Sequence, residues 1–114
     1  MLVVTTGISV PALTAMAEDR FGNMVKAVVD VGRGVMAVDA EMHADEEALL
    51  IDEGSRQADL WGINLHPAQF GTTDFIEFDS MINVRPRQGN RSRSVDDPAA
   101  RQAIVSVVDQ LVTR

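Results

Sequence analysis

Residues Met24 to Ala40 constrain the fold more than any other stretch of this chain. Val25, Ala27, Val29 and Val31 alternate with Met24, Lys26, Val28 and Asp30, which is the period-two pattern of a β-strand. Gly32-Arg33-Gly34 can take the positive φ of a tight reversal, and Val35 to Ala40 then returns. A β-hairpin is predicted here. An isolated hairpin is marginal in water, so neighbouring segments must cover its apolar side.

Helical cover is predicted in three places. Ser9 can cap a helix to Phe21, with Pro11 in the first turn and Leu13, Met16, Ala17 and Phe21 at helical spacing. Asp45 can cap a second, with Glu46 and Glu47 near its positive end and Gly54 closing it. Asp97 caps a third, Pro98 takes its first position, and Ala100, Ile104, Val107, Val108 and Leu111 form one stripe. Between the last two, residues 59–66 alternate around Trp61, Ile63 and Leu65. Residues 75–85 alternate around Ile76, Phe78, Ile82 and Val84. Leu2 to Thr5 can add a short edge strand. The expected fold is a single α+β domain over residues 1–114, a two-layer sandwich. Its mostly antiparallel sheet consists of two hairpins, with helices packed on one face.

The chain has no cysteine, which excludes disulfides and thiolate metal sites. A net charge of −7 repels nucleic acid, so nucleic-acid binding is not expected. Neither a basic-then-apolar leader nor a spanning segment is apparent, and a soluble cytoplasmic protein without membrane association is the expectation. No phosphate loop, dinucleotide fingerprint or nucleophile elbow is present, so no cofactor is implied. A metal site using His43, His66 and the carboxylates between Asp39 and Glu47 lacks ligand spacing, and none is expected.

Four of the ten cationic residues, Arg85, Arg87, Arg91 and Arg93, fall within one nine-residue segment between a predicted strand and a helix start. Guanidiniums present fork-shaped donors suited to carboxylate and phosphate. Arg85, Arg87, Asn90, Arg91, Ser92 and Arg93 are therefore the candidate ligand-binding residues, for a small anionic ligand or an acidic protein partner. Pairing with this chain's own carboxylates is the plainer use of the same charges.

The sheet face away from the helices collects a second polar set, Lys26, Asp30, Asn64, His66, Glu77, Asp79 and Asn83. Solvation alone accounts for such polarity. Yet Met24, Val28, Leu60 and Met81 rim this face, which suits a ligand groove or a homodimer surface. Asn64, Glu77, Asp79 and Asn83 form the alternative site, that of a small hydrolase-type enzyme.

Three segments carry a family resemblance. They are His43-Ala-Asp-Glu-Glu-Ala-Leu-Leu, the run from Gly54 to Pro67 containing Asp59-Leu-Trp-Gly-Ile-Asn-Leu-His, and Ile76-Glu-Phe-Asp-Ser-Met-Ile-Asn-Val-Arg-Pro-Arg-Gln-Gly-Asn-Arg-Ser-Arg93. Together they resemble a small prokaryotic family catalogued only as a domain of unknown function. The resemblance implies a compact cytoplasmic domain and no assigned reaction. In that family tyrosine often stands where this chain has His66, which implies that His66 is not an essential ligand.

Overall fold

The computed structural model describes residues 1–114. In chain order its elements are β1 (Leu2–Val4), β2 (Ile8–Ser9), α1 (Val10–Arg20), β3 (Val25–Asp30), β4 (Val35–Val38), α2 (His43–Asp52), β5 (Leu60–Leu65), β6 (Ile76–Glu77), α3 (Pro98–Leu111) and β7 (Val112–Thr113). Five strands form one sheet in the order β1-β4-β3-β5-β6, and every pairing in it is antiparallel. The α+β class follows from the sequence as expected. A parallel pair, Ile8–Ser9 with Val112–Thr113, also ties the two ends of the chain together. Two-residue strands carry no periodicity, so the pattern could not announce them.

The hairpin closes on Asp30. Its Oδ1 accepts from the backbone N–H groups of Gly32 at 2.8 Å and Arg33 at 2.9 Å, and its Oδ2 accepts from Ser55 Oγ at 2.6 Å. A buried carboxylate with three donors is a turn organiser rather than part of an open polar face. Helix caps appear where short polar residues precede proline. Ser9 accepts from Ala12 N at 3.2 Å, and Asp97 from Ala99 N at 2.9 Å.

One sheet face carries Val25, Ala27, Val29, Met36, Val38, Trp61, Ile63 and Leu65, packed against Leu13 and Ala17 of α1 and Ile104, Val108 and Leu111 of α3. Trp61 is buried there, with 6 % of its surface exposed. The expectation of helices on one face alone gives way at α2. Its Leu50 packs on Val28, Val35, Ala37 and Leu60, which point to the opposite side. The physical reason is connectivity. Strands β4 and β5 both flank β3 antiparallel, so they run parallel to each other and their link must cross a face. With α1 and α3 on one face, α2 covers the other. This helix also starts earlier than Asp45 suggested. Met42 occupies the cap position without a side-chain bond, and Asp45 and Glu46 lie in the first turn.

The predicted strand 75–85 is the largest local correction. Only Ile76–Glu77 pair with β5. Single 3-10 turns follow at Met81–Asn83 and Pro86–Gln88. Ile76 and Phe78 pack on the α1/α3 side as expected, whereas Ile82 turns to the α2 side and Val84 is exposed. No helix is long and apolar enough to cross a membrane.

Candidate functional site

Register sets the site. Lys26 lies opposite Asn64, and Asn64 opposite Glu77, so three polar side chains form one row across β3, β5 and β6. They stand on the α2 side of the sheet, beyond the reach of the Leu50 cluster. Lys26 and Asn64 of this row, with His43 from the first turn of α2 and Asp79, Ser80 and Arg93 from the segments after β6, line a bay of about 260 Å³, and Glu77 lies just outside it. Met24, Met42, Met81 and Ile82 supply its apolar wall.

Each polar member has a defined state. Asn64 is 5 % exposed. Its Nδ2 donates to Glu77 Oε1 at 3.0 Å and to the Asp79 carbonyl at 3.5 Å, while its buried Oδ1 has no partner. An unpaired buried carbonyl carries a desolvation cost within the fold. Glu77 also accepts from His66 Nε2 at 3.2 Å, and the Asn64 and His66 donors hold its carboxyl below the usual range. Glu77 is thus a standing carboxylate, unsuited to donating a proton as a general acid.

His43 Nε2 lies 2.7 Å from the Ile63 carbonyl, which fixes the proton on that nitrogen and leaves Nδ1 as the acceptor. Burial is the main cause that lowers its pKa below the ordinary value, with nearby Lys26 acting in the same direction. The ring is therefore neutral at pH 7. Arg93 donates from Nε to Asp79 Oδ1 at 2.7 Å, and its two Nη groups make no hydrogen bond within the chain. Lys26 forms no ion pair and lies 5.2 Å from the Phe21 ring centroid. The charged bay side chains are thus Lys26, Arg93 and Asp79, two cations against one carboxylate in a chain of net charge −7.

The arginine-rich segment does not converge. Arg85 turns back onto the body of the fold. It donates to the Gln57 carbonyl at 2.7 Å and to the Leu60 carbonyl, and its guanidinium sits 4.2 Å from the Trp61 ring centroid. Asn90 is buried. Its Nδ2 donates to the carbonyls of Asn83, Ser92 and Ser94, and its Oδ1 accepts from Asp96 N at 2.8 Å. Ser92 Oγ donates to Asp96 Oδ1 at 2.7 Å, a bond that holds the Asp96 carboxyl below its usual range. Arg87 and Arg91 are exposed, and only Arg93 reaches the bay.

The alternative set divides as well. Asn64, Glu77 and Asp79 are brought together, while Asn83 is buried at the sheet edge and bonded to Gly62. The carboxyl that burial raises, to about 9, is that of Glu46. Its Oε2 accepts from Ala40 N at 3.1 Å, and it lies outside the bay lining. The sequence places Lys26 on this face, whereas it offers His43 only as a metal-ligand candidate ahead of the second helix. The signal for His43 is its place two turns before Leu50, on the side that α2 turns to the sheet. No group of three or more His, Asp and Glu side chains is arranged to hold a metal ion.

No curated protein and no solved structure matches the chain. Residues 2–111 match the model of a family described as a protein of unknown function (DUF5674), and the chain belongs to that family.

Proposed function

We propose that this protein is a binding module for a small anionic ligand, held in the bay between Lys26 and Arg93. What supports this is the reversal of charge. Two cations, one without an ion pair and one with free Nη groups, share the lining with Asn64 and a neutral His43 in an otherwise acidic chain. Guanidinium and ammonium groups bind the anion's oxygens. Arg93 is the member shared with the arginine-rich segment. Arg85 and Asn90 shape that segment, and Arg87 and Arg91 lie apart from the bay.

Thermal unfolding in the presence of millimolar acetate, phosphate or sulfate tests the assignment. Stabilisation by at least one anion, lost in Lys26→Gln and Arg93→Gln and kept in Arg87→Ala and Arg91→Ala, is the expected result. Equal loss in the Arg87 and Arg91 variants would return the site to the loop. No stabilisation by any anion would remove the proposal.

A further inference from the structure

The bay has a second character that an inorganic anion does not use. Met42 is 57 % exposed and Met81 66 %, and both belong to its lining together with the half-buried Met24. Single exposed methionines are ordinary. Here they share a lining with Lys26, Asn64 and Arg93, where unbranched, polarizable thioethers can fold onto a ligand of variable shape. The balance of charge narrows the head group. Asp79 stays bonded to Arg93, so one fixed carboxylate stands against the two cations of the lining. A monoanion matches the local excess of one positive charge.

Resting on the reading of the bay as an anion site, we infer that its ligand is a small amphipathic carboxylic acid. The carboxylate lies between Lys26 and Arg93, and the apolar substituent runs along Met42 and Met81. A volume of about 260 Å³ accommodates a short acid, with the tail lying along the rim rather than in a closed tunnel.

The test is a titration of the full chain, labelled at the methionine methyl groups, with acetate, butyrate and hexanoate, followed by NMR. Affinity should rise with each added methylene, by about fourfold for one fully buried and less at an open rim. The Met42 and Met81 methyl signals should move. In a Met42→Ser/Met81→Ser variant, both changes at exposed positions, acetate should bind as before and the dependence on length should vanish. Acetate binding with no length dependence would overturn the inference and leave the anion site standing. Length dependence that survives in the double variant would also overturn it. Failure of every acid and of phosphate to bind would remove the anion site itself.

Discussion

Asn83 and Gly62 exchange two hydrogen bonds at the sheet edge. The Asn83 Nδ2 donates to the Gly62 carbonyl at 2.9 Å, and the Gly62 N–H donates to Asn83 Oδ1 at 2.8 Å. A side-chain amide thereby completes the ladder at the point where β6 has ended. The same Nδ2 donates to the Arg93 carbonyl at 3.0 Å, and Asn90 Nδ2 donates to the Asn83 carbonyl at 2.8 Å. Two asparagines therefore link β5 to the segment that carries Arg93 to the bay.

Replacing Asn83 by alanine leaves a buried N–H and a buried carbonyl on Gly62 without partners. The expected loss is about 2–4 kcal/mol by urea unfolding, accompanied by displacement of Arg93. Gly62→Ala should be comparably damaging, because a Cβ there would stand 2.5 Å from Ser80 Cβ. A loss below about 0.5 kcal/mol, the range of an ordinary surface change, would refute the edge role of Asn83.

Arg85 is expected to act as a structural residue. Its planar fork bonds two carbonyls and stacks on Trp61, none of which an ammonium reproduces together. Arg85→Lys should cost about 1–3 kcal/mol, whereas Arg87→Ala should change stability by less than about 0.5 kcal/mol. Urea titrations of the two variants check this directly.

Glu46 makes the fold sensitive to alkali. Burial raises its pKa from 4.5 to about 9, so the unfolded chain releases a proton that the folded chain keeps. The associated stability is fully present below pH 4.5 and is lost as pH rises toward 9. Glu46→Gln should abolish the part of the decline in unfolding midpoint between pH 6 and 9 that wild type owes to this group. Parallel slopes for the two proteins would contradict the assignment.

His43 acts at the other end of the scale. Its folded pKa lies below 6.5 chiefly because the ring is buried, so its contribution is present above 6.5 and lost as pH falls below it. His43→Gln, which keeps a donor for the Ile63 carbonyl, should lose less stability than wild type between pH 7.5 and pH 5. The ring protons of His43 should titrate below 6.5 in NMR spectra.

Sequence periodicity predicts what depends on alternating burial. Trp61, Ile63 and Leu65 fall on the core face, and β3 and β4 pair around Gly32-Arg33-Gly34. It misleads where a side chain substitutes for backbone. Residues 78–85 alternate like a strand, yet Asn83 supplies the ladder bonds and frees the chain to turn. The arginine segment misleads for a related reason. Charge spacing along the sequence does not reveal that Arg85 folds back to Gln57 and Leu60, or that Asn90 winds the loop around its own amide. Lys26, Asn64 and Glu77 were legible as one polar face because register preserves alternation across strands. His43 was not, since its position depends on which face α2 crosses.

The central claim is that the bay, rather than the arginine loop, receives an anion. An acetate titration followed through the side-chain signals of Asn64, His43, Arg93, Arg87 and Arg91 measures this in one experiment. The account predicts saturable shifts at Asn64, His43 and Arg93, with Arg87 and Arg91 unmoved. Saturable shifts confined to Arg87 and Arg91 would contradict it.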